Sequence, residues 1–215
     1  MVEAVIFDMD GVLVDSEPIT LDDRLAYFAQ IGLELTPAQV AGLIGRNLGQ
    51  TWPALLPDRP AAVYAKLTAG YHAFRRARAL DYGQIVDPAA RPLMQWLKAH
   101  GLRVAIASAS DQAQIAQMAA QTQLAPYLDV IISGLDFVRS KPDPAVYQAA
   151  LRALDLNAEQ AIAVEDSQIG IQAARAAGLR VAAVPIRDPR LQQDQSAATW
   201  RVASLSAITA LVQTS

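Results

Sequence analysis

A chain of 215 residues that is 53% hydrophobic can bury a full core, as one large domain or as a main domain with a smaller insert, and intrinsic disorder is excluded. It has no cysteine, which excludes disulfide frameworks, thiolate metal sites and cysteine nucleophiles and points to a reducing, cytoplasmic setting. A formal net charge of −3 argues against nucleic acid as a partner, because such binding relies on clustered basic residues, whereas phosphorylated small molecules stay open.

The first apolar run, Ala4 to Phe7, reads as a strand and begins without a basic leader. Asp8-Met9-Asp10-Gly11-Val12 follows it directly. A strand projects residues i and i+2 to one side, so both carboxylates can face one point, and Gly11 permits the sharp departure of the backbone. Close carboxylates repel unless a cation or a shared proton separates them, and oxygen ligands suit a hard metal such as Mg²⁺. The plainer alternative is a polar strand end followed by a turn.

From Ser16 to Asp81 the pattern is helical and no strand is predicted, which implies an all-helical insert after the first strand. Thr36-Pro37 reads as an N-cap with proline at the first helical position, ahead of a helix over Ala38 to Ile44 and the loop Gly45-Arg46-Asn47. Pro53, Pro57 and Pro60 are expected to break up the next stretch before a long helix from Ala61 to Ala79. Arg75, Arg76 and Arg78 read as its solvated face, and His72 as a surface residue.

Beyond the insert, four more apolar runs read as buried parallel strands: Arg103 to Ala107, Val130 to Ser133, Ala161 to Val164 and Arg180 to Val184. Helices are expected over Pro88 to His100, Gln112 to Gln123, Pro144 to Leu154 and Ile169 to Ala177, with Gly101 and Gly178 at C-cap positions. An edge strand at Thr199 to Ala203 and a terminal helix close the chain. The alternation implies a doubly wound, Rossmann-like parallel α/β sheet, with residues 1–15 and 82–215 as the core domain and 16–81 as the helical insert. No apolar run reaches the roughly 18 residues of a membrane span, so no membrane association is expected.

In such a sheet, ligands bind beyond the carboxyl ends of the strands. There stand Asp8 and Asp10; then Ser108-Ala109-Ser110, whose hydroxyl and N–H groups suit a phosphate oxygen, or where Ser110 or Asp111 simply caps a helix. Lys141-Pro142 follows the third strand, and the proline restricts the lysine to an extended backbone. Only three lysines accompany fifteen arginines: Lys66, which has no assigned role, Lys98, read as a solvated surface residue, and Lys141. Lys141 is either a directed cation for a phosphate or carboxylate, or an exposed turn residue. Glu165-Asp166-Ser167 follows the fourth strand, where adjacent acids can complete a metal shell or cap a helix.

Taken together, Asp8-x-Asp10-Gly11-Val12, Ser108, Lys141-Pro142 and Glu165-Asp166-Ser167-x-x-Gly170 resemble the four motifs of the haloacid dehalogenase superfamily, over residues 1 to about 185. The insert resembles the small helical cap of the subgroup that contains β-phosphoglucomutases and sugar or glycolate phosphatases. The resemblance implies a Mg²⁺-dependent phosphatase acting on a small phosphorylated metabolite (sugar phosphate, polyol phosphate or phosphoglycolate) as a monomer or weak homodimer. Asp8 would be the nucleophile and Asp10 the acid and base. Asp8, Asp10 through its main-chain carbonyl, and Asp166 would hold the metal, with Glu165 in support. Ser108, Ala109 and Lys141 would bind the phosphoryl group, and Arg46 would contact the leaving group or simply face solvent at a helix end.

A hexose-phosphate mutase is the nearest alternative. Mutases of this type carry Asp-Thr-x-x-x-His after the first motif, whereas this chain reads Asp15-Ser16-Glu17-Pro18-Ile19-Thr20, with threonine at the histidine position. A non-catalytic binding or regulatory protein on the same fold is the third reading.

Overall fold

The computed structural model describes residues 1–43 and 48–214, and within them the strands arise where the apolar runs predicted them. They are β1 (Ala4–Phe7), β2 (Arg103–Ser108), β3 (Val130–Ser133), β4 (Ala161–Glu165), β5 (Arg180–Ala183) and the short β6 (Trp200–Arg201). All pair in parallel in the order β3-β2-β1-β4-β5-β6, so β1 is flanked by β2 and β4 and the winding direction reverses beside it. That reversal opens a crevice at the carboxyl end of β1.

Alternate strand residues enter two separate cores. Val5, Phe7, Val104, Ile106, Ile162 and Val164 pack with Met94, Leu97 and Met118 on one face. Ala4, Ile6, Ala105, Ala107, Ala161 and Ala163 pack with Tyr147, Leu151 and Ile171 on the other, where alanines leave room for the larger helical side chains.

The insert carries helices α1 (Glu17–Gln30), α2 (Pro37–Ala41), α3 (Leu48–Leu55) and α4 (Ala61–Arg76). Thr36 caps α2 as expected, its hydroxyl accepting from the Gln39 N–H. Two expectations are corrected. Pro53 does not interrupt the chain but lies inside α3, next to the fully buried Trp52, and α4 ends at Arg76 rather than Ala79. The cost of a proline within a helix is offset there by burial of the adjacent indole. These helices form their own core around Tyr27, Phe28, Trp52 and Tyr71, with Trp52 in edge-on contact with both Tyr27 and Phe28.

After the insert come α5 (Tyr82–Ile85), α6 (Ala90–Ala99), α7 (Gln112–Gln121), α8 (Ala145–Leu154), α9 (Gln168–Ala176) and α10 (Ile208–Thr214). Gly101 and Gly178, with φ of 77° and 86°, take the left-handed conformation just beyond α6 and α9. Lys98 is half-buried rather than freely solvated, because it is paired with Asp129 at 2.7 Å.

The two segments that connect the insert to the sheet run side by side. Val14 bridges Val86, the Asp15 N–H donates to the Ile85 carbonyl, and the Asp87 N–H donates to the Leu13 carbonyl. Arg187, on the loop after β5, is hydrogen-bonded to Asp87 and lies 3.9 Å from Asp15. The same loop sends Leu191 into the helical core. No helix among the described residues is long and apolar enough to cross a membrane.

Replacing Trp52 with alanine should cost about 3–5 kcal/mol, since it opens a cavity among Tyr27 and Phe28 and removes the indole N–H donated to Thr68. Denaturant unfolding would measure this, and a loss below about 1 kcal/mol would show that Trp52 does not anchor the insert.

Candidate active site

Because β1 and β4 are neighbours, Asp8 and Glu165 end side by side, and Asp8 continues the ladder by donating its N–H to the Val164 carbonyl at 2.9 Å. Met9 packs into the sheet core from the opposite side, which keeps Asp8 and Asp10 on the cleft side. The loop between β3 and α8 then carries Lys141 inward. Its peptide bond to Pro142 is cis and its side chain is only 4% exposed, so it is no exposed turn residue.

The Lys141 ammonium donates to Asp8 Oδ1 at 2.6 Å and to Glu165 Oε1 at 2.7 Å. Tyr147 of α8 completes the group, donating its hydroxyl to Glu165 Oε1 at 2.7 Å while the ammonium lies 4.9 Å from its ring centroid. Burial alone would lower the lysine pKa, but the charges of Asp8 and Glu165 outweigh it and hold the ammonium well above its ordinary value. Glu165 Oε2 accepts from the N–H groups of Asp166 and Ser167 and from the Ser167 hydroxyl. Both oxygens are thus engaged, so Glu165 positions Lys141 rather than presenting an open ligand. A Cβ at position 170 would sit 1.9 Å from Glu165 Oε1, which explains the glycine in Ser167-x-x-Gly170.

Asp8 is pushed up to about 8, mainly by burial, with Lys141 opposing and the carboxylates of Glu165 and Asp10 reinforcing. Asp166 lies well above its ordinary value, again through burial first and then the charge of Glu165. Asp8, Glu165 and Asp166 bring carboxylate oxygens within 4.8 Å of one another, so three buried acids face one ammonium. Asp166 accepts no side-chain hydrogen bond among the described residues, and its carboxylate lies where a Cβ on residue 11 would reach, 2.0 Å from Oδ2. Gly11, at φ 79°, is therefore required both by its backbone conformation and by this close approach. An all-oxygen donor set carrying surplus buried negative charge fits a hard divalent cation.

Asp10 is held by two hydroxyls, from Ser16 at the start of α1 and from Ser110 after β2, the latter at 2.8 Å. Ser110 is thus no helix cap. Asp111 caps α7 instead, accepting from the Gln114 N–H, and Ser167 caps α9. The buried Ser108 hydroxyl accepts from the Ser110 N–H at 3.1 Å.

These groups line a cavity of about 360 Å³ whose opposite wall is built by residues of the helical insert. Asp8, Asp10, Ser108, Ala109, Lys141 and Asp166 all reach it, as does Thr20 from α1. Arg46 lies outside the described residues. Arg75 is not solvated as expected: it faces the cavity and is ion-paired with the buried Asp23, which also takes Arg78 at 3.2 Å. His72 is exposed on the same rim. Sequence reasoning missed Tyr147, the role of Ser110, and Glu17. The Glu17 carboxyl is buried in the cavity wall and pushed up to about 7 by burial and by Asp10, with Arg24 opposing.

A doubly wound sheet with a helical insert thus carries a Lys-neutralised carboxylate cluster at its switch point. The chain belongs to the haloacid dehalogenase-like hydrolases, whose family model matches residues 5–184. It is 32% identical over 184 residues to a phosphoglycolate phosphatase of Cupriavidus necator, covering 84% of this chain and 80% of that one. It is 26% identical to the phosphorylated carbohydrates phosphatase of Thermotoga maritima over 82% of each chain. Its fold matches the crystal structure of a β-phosphoglucomutase from Clostridium difficile with a TM-score of 0.86, at 18% identity, over 100% of this chain and 96% of that one.

A carboxyl whose native pKa is raised stabilises the fold fully below its unfolded value, and that stability is lost as pH rises through the native value. Asp8, raised from 3.8 to about 8, and Glu17, raised from 4.5 to about 7, both act in this sense. In a chelator, the melting temperature should therefore fall as pH rises from about 5 to 8 and level off above that. Mg²⁺ should restore most of the loss, and a melting temperature indifferent to Mg²⁺ across that window would argue against a metal at these carboxylates.

Proposed function

We propose that this chain is a Mg²⁺-dependent phosphatase that hydrolyses a small phosphorylated metabolite, a sugar phosphate, polyol phosphate or phosphoglycolate, through an aspartyl-phosphate. We further propose that residues 16–81 act as a cap over a core of residues 1–15 and 82–215. The observation that carries the reading is Asp10, fixed by the Ser16 and Ser110 hydroxyls two residues from Asp8 and in the same cavity. A protein that only bound phosphate would have no use for a second carboxylate so placed.

Asp8 attacks phosphorus with a carboxylate oxygen. The bond to the leaving oxygen breaks as Asp10 delivers a proton to it. Water then attacks the acyl phosphate, Asp10 takes its proton, and inorganic phosphate departs as Asp8 is regenerated. The Lys141 ammonium, oriented by Glu165 and Tyr147, and the Ser108 and Ala109 segment bind the phosphoryl oxygens, where fixed charge matters more than covalent chemistry. Mg²⁺ held by Asp8, the Asp10 carbonyl and Asp166 would supply neutralisation of the phosphoryl charge and of the surplus buried carboxylates. The names of the two curated relatives, one for phosphoglycolate and one for phosphorylated carbohydrates, support the substrate range. Threonine at position 20, in the cavity, favours hydrolysis over the mutase, whose resemblance calls for histidine there.

Phosphate release from a panel of sugar phosphates, polyol phosphates, phosphoglycolate and nucleotides should require Mg²⁺ and stop in EDTA. Asp8→Asn should lose more than about a hundredfold of the rate while melting as a folded protein, and activity above that residue would rule out Asp8 as nucleophile. Asp10→Ala should lower kcat yet leave the Mg²⁺ concentration for half-activation nearly unchanged. A shifted Mg²⁺ response with intact chemistry would remove Asp10 from proton transfer.

A further inference from the structure

Glu17 opens α1 immediately after Ser16, the residue that holds Asp10, and it lines the cavity with Asp8 and Asp10. Its Oε2 is shielded from water and has no hydrogen-bond partner among the described residues. A glutamate serving only the helix dipole would keep its head group in solvent, whereas an unpartnered buried carboxyl oxygen costs free energy until something donates to it. No group among the described residues donates to it, and Glu17 lines the cavity.

We propose that Glu17 is a specificity residue that accepts a hydrogen bond from a leaving-group hydroxyl, selecting polyol phosphates over phosphoglycolate. This rests on the phosphatase reading above and narrows its substrate. A hydroxyl would donate to the unpartnered Oε2, whereas glycolate would bring a carboxylate against a wall that already holds Asp8, Asp10, Glu17 and Asp166. Of the arginines on the cavity, Arg75 is paired with Asp23, and Arg24 donates an Nη1 N–H to the Leu43 carbonyl at 2.9 Å. At about 360 Å³ the cavity also has room for a leaving group longer than glycolate.

Calorimetric titration separates binding from turnover. With Mg²⁺ present, Asp8→Asn protein should bind sorbitol 6-phosphate at least about tenfold more tightly than phosphoglycolate. Adding Glu17→Ala removes the acceptor, and adding Glu17→Gln removes the charge that repels glycolate. Each should erase most of that preference while inorganic phosphate still binds. The proposal fails if the preference survives both changes, if phosphoglycolate binds more tightly to the Asp8→Asn protein, or if that protein binds neither ligand. It fails too if both Glu17 variants lose inorganic phosphate, because Glu17 is then structural support. Wild-type turnover tests the phosphatase reading separately: no phosphate release, with the Glu17-dependent preference intact, sinks hydrolysis and upholds this assignment.

Discussion

The site depends on one buried ammonium. Lys141 sits between Asp8 and Glu165, 2.6 and 2.7 Å from their oxygens and almost without solvent, and no other lysine among the described residues lines the cavity. Removing a partner from such a group leaves a charge uncompensated in the interior, so the four side chains of Asp8, Lys141, Tyr147 and Glu165 stand or fall together. Their mutual support spans β1, the loop after β3, α8 and β4, which ties the geometry of the site to the correct winding of the sheet. The two glycines that touch the cluster follow from it: Gly11 clears Asp166, and Gly170 clears Glu165.

Charge balance carries the same constraint into function. One ammonium does not neutralise three buried carboxylates, and burial answers by raising the pKa values of Asp8 and Asp166. A protonated Asp8 is a poor nucleophile. A divalent cation at these oxygens would offset the surplus negative charge and favour the Asp8 anion that the proposed mechanism needs.

The helical insert acts on this site from above with a core of its own, built on Trp52, Tyr27 and Phe28. Its two connections run side by side beneath Arg187, so a hinge there would pivot both segments together. The cavity wall is therefore shared: the sheet edge contributes Asp8, Asp10, Ser108, Lys141 and Asp166, and the insert contributes Glu17, Thr20, Arg24 and Arg75.

Much of this was legible in the chain. Short continuous apolar runs specified the strands, and the residues at or soon after their ends, Asp8, Asp10, Ser108, Lys141 and Asp166, were readable because a parallel sheet delivers strand ends to one edge. What local pattern could not carry was the pairing of residues far apart in sequence. Tyr147 carried no local signal within α8, Arg75 read as a solvated helix face, and Ser110 read either as part of a phosphate-binding segment or as a cap; their partners Glu165, Asp23 and Asp10 stand 18, 52 and 100 positions away. Nothing local singled out Glu17, and only the packing of the insert over the sheet buried its Oε2. The sequence by itself determined the strand ends and the reactive groups on them, because backbone alternation and side-chain chemistry are local. Tertiary structure alone decided which charges meet, which are buried and which stay unpartnered, because these depend on distances that folding sets between elements.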